Sequence, residues 1–327
     1  MKFAIYEMRR DEVAIFRDLA AKYKVDLVEI EDMLDENSIS LAQNCQGIGI
    51  LGQSILNDVV LEQLRKEGIQ NIITRTVGYN HIDLEYAKKL GMKIGNAFYD
   101  PNGVADFTIM LMLLCIRNYK PALWRGQVND YSLDGLLGRE MRNLTVGILG
   151  TGRIGQQVIE NLIGFGCKIL AYNIPEIHEV KKHVKYVSLD ELYRNCDMIS
   201  VHLPLTEKTH HMIDKNAIDR MKDGVILINA ARGELMDIQA LIDGIENRKI
   251  GSLGLDVVEN EAEIYHRDRK TDIIQNKEMA YLRQFPNVVM TQHMAFYTDA
   301  SVLSMAKYTI EGLVSFCNNE YYQGQLT

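Results

Sequence analysis

Residues 145–160, TVGILGTGRIGQQVIE, decide the fold of this chain. The apolar run 146–149 predicts a buried parallel strand, and the amphipathic pattern that follows predicts a helix. Between them lie Gly150, Gly152 and Gly155 in the spacing GxGxxG. In this setting the first glycine permits a tight turn, the second lets the backbone approach a pyrophosphate, and the third lets the helix pack close to the strand. The stretch therefore predicts a dinucleotide site, with the helix N-terminus facing the phosphates.

The position about 20 residues after this turn is where an acidic residue holds the ribose hydroxyls of NAD, and here it is Asn173. Asn keeps a hydrogen bond but lacks the charge that repels a 2′-phosphate. An NADP site would need a nearby Arg, whereas residues 174–176 are Ile-Pro-Glu and the nearest cations are Lys181 and Lys182. The sequence predicts NAD as the preferred cofactor with weakened discrimination, and NADP stays open as the alternative.

The composition is that of an ordinary globular protein long enough for two domains, with 327 residues, 47% of them hydrophobic and 24% charged. The net charge of −8 argues against nucleic acid or an anionic membrane as partner. The five cysteines are an odd number without a CxxC pair, which indicates free thiols in a reducing compartment. No signal peptide is visible, and the longest apolar run, 109–116, is too short to span a bilayer. We expect a cytoplasmic protein.

Residues 1 to about 98 alternate short apolar runs with amphipathic segments, which is typical of a small α/β domain with a mainly parallel sheet. The predicted strands are 3–6, 26–30, 48–51, 72–74 and 92–94. The predicted helices are 12–23, 57–67 and 83–90. Asn57 and Asp83 are predicted to cap the N-termini of the last two helices.

A strongly apolar helix is predicted over about 103–118, and its lack of a polar face predicts burial between domains or subunits. From Thr145 a second α/β series begins, in which Ser188 and Glu191 form a predicted capping box. Its six predicted strands are 146–149, 169–172, 198–202, 225–229, 253–257 and 288–291. The last helix, about 301–317, lies beyond this series and is free to pack on the first domain.

Polar segments follow several predicted strands, at the carboxyl ends where a doubly wound sheet gathers its functional groups. Arg232 could clamp a substrate carboxylate with its planar fork and polarise a neighbouring carbonyl. His293 could donate a proton to a developing alkoxide, and Glu261 could keep that histidine protonated. Taken singly, these residues have ordinary explanations as an ion-pair partner, a structural histidine and a solvated carboxylate. Their joint placement after a dinucleotide turn favours carbonyl chemistry.

The other histidines give no prediction of a metal site. His210 with His211, and His178 with His183, have no convincing set of further ligands beside them in the sequence. The chain also lacks a G-x-S-x-G motif, which argues against a serine hydrolase.

Taken together, seven motifs resemble the D-2-hydroxyacid dehydrogenase family, in its D-lactate dehydrogenase-like branch. They are 74–83 (TRTVGYNHID), 99–102 (YDPN), 150–155 (GTGRIG), 201–204 (VHLP), 229–233 (NAARG), 256–261 (DVVENE) and 293–298 (HMAFYT). The resemblance covers essentially the whole chain. The vancomycin-resistance D-lactate dehydrogenases and the clostridial aryl-lactate and 2-hydroxyglutarate dehydrogenases are similar in the same segments.

This resemblance implies an α/β protein with two Rossmann-like or flavodoxin-like domains, each with a parallel sheet, and a cleft between them. The substrate domain would comprise 1–98 and 296–327, and the NAD-binding Rossmann domain would comprise 99–295. Members commonly form homodimers through the long apolar helix after Pro101, so a homodimer is expected.

The resemblance also implies roles for individual residues. Arg232 would bind the carboxylate and carbonyl of a 2-oxoacid, His293 would be the acid/base, and Glu261 would be its partner. The substrate contacts would be the backbone N–H groups of Val77 and Gly78 and the side chains of Tyr99 and Phe296. The cofactor contacts would be Gly150, Gly152, Arg153, Ile154, Gly155, Asn173, Leu203, Pro204, Thr209, Ala230, Ala231, Arg232 and Asp256, the last near the nicotinamide carboxamide.

The implied reaction is NAD-dependent reduction of a 2-oxoacid to the D-2-hydroxy acid, with pyruvate as the first expectation. Phenylpyruvate, 2-ketoisocaproate or 2-ketoglutarate is the alternative, because Tyr99, Phe296 and Tyr297 could form an aromatic pocket. Phosphoglycerate is disfavoured, since no regulatory domain or phosphate-binding cluster is visible. An NAD-sensing corepressor is the alternative of another class, and the complete set of Arg232, Glu261 and His293 argues against it.

Overall fold

The computed structural model describes residues 1–262 and 264–327. The chain forms two compact units, Met1–Asp100 with Tyr297–Thr327, and Pro101–Phe296. Each unit contains one fully parallel sheet, with five strands in the first and seven in the second. The predicted α/β class with two parallel sheets is confirmed.

The first unit has the strand order β2-β1-β3-β4-β5. Its strands are β1 (Lys2–Ile5), β2 (Asp26–Glu29), β3 (Gly47–Ile50), β4 (Asn71–Thr74) and β5 (Lys93–Asn96). Its helices are α1 (Val13–Tyr23), α2 (Asp58–Lys66), α3 (Leu84–Lys89) and the last helix of the chain, α11 (Asp299–Cys317). The predicted N-caps are confirmed, because Asn57 accepts a hydrogen bond from the backbone N–H of Val60 and Asp83 accepts one from Tyr86.

Helix α11 packs on the first sheet, where its buried residues share a core with Phe3 and Ile5 of β1. Two glycines of β3 permit this close approach. A Cβ at Gly47 would lie 2.9 Å from Leu313, and a Cβ at Gly49 would lie 2.8 Å from Thr309. The carboxyl-terminal helix therefore completes the core of a unit that begins at the other end of the chain.

The second unit has the strand order β12-β11-β10-β9-β6-β7-β8. Its strands are β6 (Thr145–Leu149), β7 (Lys168–Tyr172), β8 (Lys185–Tyr186), β9 (Met198–Val201), β10 (Val225–Asn229), β11 (Ile250–Leu255) and β12 (Val288–Met290). Its helices are α4 (Asn102–Ile116), α5 (Tyr119–Gly126), α6 (Arg153–Ile163), α7 (Leu189–Asn195), α8 (Lys215–Arg220), α9 (Ile238–Glu246) and α10 (Lys277–Leu282). The two-residue strand β8 was not predicted, because two residues are too few to show a periodicity.

Within one chain, the apolar helix α4 packs against α6, β10 and β11 of its own unit. Met110 of this helix is still 37% exposed, and the expected burial between domains or subunits stays a prediction. Gly254 of β11 makes room for α4, since a Cβ there would lie 3.2 Å from Sγ of Cys115 and 3.3 Å from Leu111. Both faces of a parallel sheet must be covered, and α4 covers one of them.

The predicted capping box at the start of α7 is present in half of its hydrogen bonds. Ser188 accepts a hydrogen bond from the backbone N–H of Glu191, while the Glu191 carboxylate pairs with Lys185 at 2.8 Å.

Among the described residues, no helix combines the length and the apolar character needed to cross a bilayer.

Candidate active site

The glycine turn after β6 has the geometry that the sequence predicts. Gly150 has a φ of +94°, and a Cβ there would lie 2.6 Å from the carbonyl oxygen of His202. A Cβ at Gly155 would lie 2.1 Å from the carbonyl oxygen of Gly150, so only glycine lets α6 approach the strand this closely. At Gly152, the N-cap of α6, a Cβ would meet no described atom within 4 Å. The turn therefore leaves open space in front of the helix N-terminus, where an anion binds best.

Asn173 is tied to this turn by its side-chain amide. Its Oδ1 accepts a hydrogen bond from the backbone N–H of Thr151 at 2.9 Å, and its Nδ2 donates to the carbonyl oxygen of Pro175 at 2.6 Å. It also lines a surface hollow of about 500 Å³. The hollow is lined by Tyr172, Asn173, Ile174, Pro175, Glu176, Tyr186, Val187, Ser188 and Glu191. These lining residues include no cation and two carboxylates, Glu176 and Glu191, each of which is paired with a lysine.

The segment 202–209 follows β9 beside the same turn. Leu203 lies against Gly150, and the Thr209 hydroxyl donates to the carbonyl oxygen of Pro204 at 2.6 Å. His202 shares a hydrogen bond with Ser200 at 2.9 Å. Burial lowers the pKa of His202 to about 4. Its imidazole is therefore neutral near pH 7, and an imidazolium at this position is not available as a general acid.

Three neighbouring strands, β10, β11 and β12, end at one edge of the second sheet, because they are parallel. Buried Asn229, the last residue of β10, shapes the turn that follows. Its Nδ2 donates to the carbonyl oxygen of Arg232 at 2.8 Å, and its Oδ1 accepts from the backbone N–H of Ala231 at 3.0 Å. The Arg232 guanidinium donates to the carbonyl oxygen of Ala231 at 2.7 Å. Asn229 therefore fixes the backbone from which the Arg232 side chain extends.

Asp256, directly after β11, is fully buried and organises the segment after β12. Its Oδ1 accepts from the Thr291 hydroxyl at 2.6 Å and from the Met294 N–H at 2.9 Å, and its Oδ2 accepts from the Ala295 N–H at 2.8 Å. Its carbonyl oxygen accepts from the His293 N–H at 2.7 Å. Four hydrogen bonds thus hold the segment that carries His293, and three of them compensate the buried carboxylate charge.

Glu261 and His293 meet directly, although 32 residues separate them. One Glu261 oxygen contacts Nδ1 of His293, and the other accepts the backbone N–H of Val258 at 2.8 Å. His293 has a φ of +51°, a conformation that costs free energy in a non-glycine residue and persists only where its surroundings impose it. The bonds from Asp256 and Glu261 provide that constraint.

Gly233 brings the Arg232 turn and the Glu261 loop together. A Cβ at this glycine would lie 2.1 Å from the carbonyl carbon of Val258 and 2.4 Å from the nitrogen of Glu259. No side chain can be accommodated there without moving one backbone away from the other. The glycine therefore sets the distance between the segments that carry Arg232 and Glu261.

Aromatic groups surround the His293 imidazole. The Phe296 ring stands edge-on to it with centroids 6.4 Å apart, and the His266 Nε2 lies 3.1 Å from the His293 carbonyl oxygen. Burial, reinforced by the charges of Glu261 and Asp256, raises the pKa of Tyr265. The Tyr265 hydroxyl therefore stays protonated in the neutral range.

In the first unit, the segment after β4 carries Val77 and Gly78. The Asn96 Nδ2 donates to the carbonyl oxygen of Val77 at 2.9 Å, and the Thr76 hydroxyl donates to that of Gly78 at 2.5 Å. Both carbonyls accept hydrogen bonds from within the unit, and these bonds restrain the loop. Tyr99, near the end of the same unit, is half-buried.

Arg75, fully buried just before this loop, is a residue whose structural importance the sequence did not reveal. Its guanidinium donates to the carbonyl oxygens of Tyr6 at 3.0 Å and Glu7 at 2.9 Å, and it lies 3.6 Å from the buried carboxylate of Glu12. Glu7 in turn accepts hydrogen bonds from residues 51–54. The only hint in the sequence is an Arg that directly follows an apolar strand.

Comparisons with known proteins agree with this arrangement. Residues 109–295 match the family model described as D-isomer specific 2-hydroxyacid dehydrogenase, NAD binding domain. The chain is 42% identical to the "Aromatic 2-oxoacid reductase" of Clostridium sporogenes, over 98% of this chain and 99% of the relative. It is 35% identical to the "D-lactate dehydrogenase" of Escherichia coli (strain K12), over 98% of this chain and 99% of the relative. The solved structure of D-2-hydroxyisocaproate dehydrogenase superposes with a TM-score of 0.89 at 32% identity, covering 100% of both chains.

Proposed function

The chain belongs to the D-isomer specific 2-hydroxyacid dehydrogenase family, as an NAD-dependent oxidoreductase that reduces 2-oxoacids to D-2-hydroxy acids, and on that premise we propose how its own residues do so. Arg232, Glu261 and His293 form the catalytic set. The observation that carries this proposal is the bonded Glu261–His293 pair, held by Asp256 at the edge of the sheet that also bears the dinucleotide turn.

His293 is the proton donor. When bound, the reduced nicotinamide supplies the hydride that C2 of the 2-oxoacid accepts. The carbonyl π electrons move to oxygen, and the His293 imidazolium donates a proton to that oxygen, becoming neutral imidazole until solvent reprotonates it. Because Nδ1 faces Glu261, the proton comes from Nε2. Glu261 stabilises the charged imidazolium and fixes the direction of the ring.

Arg232 orients the substrate. A guanidinium presents parallel N–H donors that match a carboxylate, and it polarises an adjacent carbonyl. The backbone N–H groups of Val77 and Gly78 bind the same carboxylate, and Tyr99 and Phe296 line the side-chain pocket. The first unit is accordingly the substrate domain, and the second holds the cofactor. Hydrogen bonds within each unit support these assignments, because they fix the loop that carries Val77 and Gly78 and the turn that carries Arg232.

The turn geometry and the hollow beside it support the proposed cofactor-binding residues. Gly150, Gly152 and Gly155 and the first residues of α6, Arg153 and Ile154, would hold the pyrophosphate. Asn173 and the hollow would hold the ribose and adenine. Leu203, Pro204 and Thr209 would also contact the cofactor, and Ala230, Ala231 and Arg232 would lie at its nicotinamide end. Asp256 acts there mainly as a positioning residue, because both of its oxygens already accept hydrogen bonds from 291–295.

NAD is preferred over NADP, but by a smaller factor than an acidic residue at position 173 would give. Asn173 offers no negative charge, yet Glu176 and Glu191 line the same hollow and repel a 2′-phosphate. Lys181 pairs with Glu176 at 2.7 Å and Lys185 pairs with Glu191 at 2.8 Å, so each lysine offsets part of the repulsion from these carboxylates.

The preferred substrate is a 2-oxoacid with a bulky apolar or aromatic side chain. The Phe296 ring stands beside the His293 imidazole and would offer an apolar surface to the substrate side chain. Relatives point the same way, since the 42% identical protein is an aromatic 2-oxoacid reductase. Pyruvate, the first expectation from sequence, remains the second candidate, and the 35% identical D-lactate dehydrogenase favours it.

A panel of pyruvate, 2-ketobutyrate, phenylpyruvate and 2-ketoglutarate, each with NADH and with NADPH, tests these assignments. We expect kcat/KM to be highest for phenylpyruvate and the initial rates to be higher with NADH for every acid. Asn173→Asp should widen the ratio of NADH to NADPH rates by about tenfold, because a full charge then faces the 2′-phosphate. A preference for pyruvate would reverse the substrate ranking, and a preference for NADPH would overturn the cofactor proposal.

Replacing Glu261 by Gln is expected to lower kcat/KM for reduction by about tenfold or more, because the partner that positions the acid/base is lost. The amide preserves the hydrogen bond from Val258 but removes the carboxylate that contacts Nδ1 of His293 and fixes the direction of its ring. Steady-state rates with saturating NADH check this, with Glu234→Gln as a control that removes the same charge. An unchanged kcat/KM would show that Glu261 and His293 are not coupled.

We also propose a homodimer. Large apolar side chains of α5 and the segment after it are exposed, among them Tyr131 at 78%, Leu133 at 83% and Leu137 at 91%. Exposed apolar surface of this kind is typical of a subunit interface. Light scattering should give twice the chain mass of 37.3 kDa.

A further inference from the structure

Two adjacent histidines and a carboxylate from a distant segment converge at one place in the second unit. The ligand atoms of His210, His211 and Glu259 all lie within 4.8 Å of one another. The Nε2 of His211 is 2.7 Å from Oε1 of Glu259, and the two imidazole rings stack with centroids 3.9 Å apart. We propose that these three residues bind a divalent transition-metal ion of the Zn²⁺ type, at a site separate from the catalytic groups.

The donor set selects the class of ion. Two imidazole nitrogens and one carboxylate oxygen are the ligands of an open zinc site, with a fourth position for water or another molecule. Imidazole also suits Cu²⁺ and Ni²⁺, whereas Mg²⁺ and Ca²⁺ require oxygen ligands. His210 is exposed, so the open position faces solvent. This set therefore excludes the hard cations and favours zinc.

The backbone of both segments is fixed before any ion binds. The His210 N–H donates to the carbonyl oxygen of Thr206 at 2.9 Å, and the His211 N–H donates to that of Glu234 at 2.8 Å. The carbonyl oxygen of Glu259 accepts from Nδ2 of Asn276 at 2.9 Å. Zinc ligand atoms lie roughly 3–3.5 Å apart when each is about 2.1 Å from the metal, and the ion lies in the plane of each imidazole. The His210 ring therefore has to turn out of its stack on His211 before both nitrogens face one ion.

Asp237 lies near His211, with its Oδ2 4.0 Å from Nδ1, a distance too long for a hydrogen bond. Its Oδ1 caps helix α9 by accepting the N–H groups of Gln239 and Ala240, which fixes the position of the carboxylate. A small rotation of the imidazole would let this carboxylate accept from Nδ1–H, as the outer partner of a metal-bound histidine does.

An ordinary ion pair accounts for only part of this arrangement. A His211–Glu259 pair would explain two of the three groups, but not the exposed His210 ring placed over His211. His178 and His183 provide the contrast, because they lie on the same unit as exposed histidines and no carboxylate cluster is found with them among the described residues. The sequence did not predict the site, since Glu259 is 48 residues from His211.

Metal binding would join two segments of the active-site edge. The histidines directly follow the 203–209 segment, and Glu259 is two residues before Glu261. An ion at this site would restrain the loop that carries Glu261, so Zn²⁺ is expected to lower the rate of reduction. This consequence rests on the proposed function, whereas the binding itself does not.

Isothermal titration of the EDTA-treated, dialysed full-length protein with ZnCl₂, without cofactor or substrate, tests the site. We expect one equivalent to bind, and His210→Ala and Glu259→Gln each to weaken binding at least tenfold, since even outer partners of metal ligands contribute about 10- to 100-fold. His183→Ala should bind as the original protein does, and MgCl₂ should give no saturable binding. Thermal unfolding verifies that each variant folds, and Zn²⁺ should raise the Tm of the original protein more than that of His210→Ala.

Equal affinities in the original protein and in both ligand variants would overturn the proposal, as would the absence of saturable Zn²⁺ binding. Initial rates with NADH and a saturating 2-oxoacid supply the second measurement. Zn²⁺ should inhibit the original protein and His183→Ala but leave His210→Ala unaffected at the same concentration. Inhibition of all three proteins to the same extent would overturn the coupling to the active site.

Discussion

Replacing His293 by Asn is expected to lower kcat for 2-oxoacid reduction by about 100- to 10,000-fold, the range that a positioned general acid contributes. Asn is close in size and can still accept or donate a hydrogen bond toward Glu261, but it cannot transfer a proton. The alkoxide would then have to take its proton from water, without the charge of an imidazolium to stabilise it. Stopped-flow and steady-state rates with saturating NADH measure the loss.

NADH binding should change little in this variant, because the glycine turn that we propose binds the pyrophosphate lies at β6, several strands away from β12. Quenching of protein fluorescence by NADH gives the Kd. His266→Asn is the matched control, since the His266 Nε2 bonds to the backbone carbonyl oxygen of His293, and its rate should fall by a few-fold at most. If His293→Asn retains more than a tenth of the original kcat, His293 is not the proton donor.

The glycine turn and the strand ends could be predicted from sequence because they are local features. An apolar run followed by GxGxxG can be recognised without information from elsewhere in the chain. Asn57, Asp83 and Ser188 likewise predict helix N-termini by residue type alone. Parallel strands align their carboxyl ends, so polar residues placed there were expected to share one edge.

The contacts that join distant segments could not be predicted in this way. Asp256 looks the same in the sequence whether its carboxylate faces a cofactor or the backbone of 291–295. Likewise, the apolar character of α4 shows that the helix is buried but not which surface covers it. His210 and His211 lacked a third ligand until the fold brought Glu259 beside them. Each of these contacts depends on tertiary packing, which the periodicity and spacing of residues in the sequence do not reveal.

Replacing Arg232 by Lys should raise the KM for the 2-oxoacid by about 10- to 100-fold while the KM for NADH stays within about twofold. Lysine keeps the positive charge but loses the planar fork, and a charge-assisted hydrogen bond contributes about 1.5–3 kcal/mol. The backbone should not move, because Asn229 holds the turn through the carbonyl oxygen of Arg232 and the N–H of Ala231. Steady-state kinetics with both substrates varied separate the two KM values.

Binding of oxamate, an unreactive carboxylate analogue of pyruvate, distinguishes a loss of binding from a loss of chemistry in Arg232→Lys. If the guanidinium grips the carboxylate, oxamate should bind the variant–NADH complex at least tenfold more weakly, in proportion to the change in KM. Arg232→Ala should extend the series, since it removes the charge as well as the fork and leaves the carboxylate to the N–H groups of Val77 and Gly78. Unchanged oxamate affinity in Arg232→Lys would show that the planar fork is not needed to bind the carboxylate, and unchanged affinity in Arg232→Ala as well would show that Arg232 does not bind the carboxylate at all.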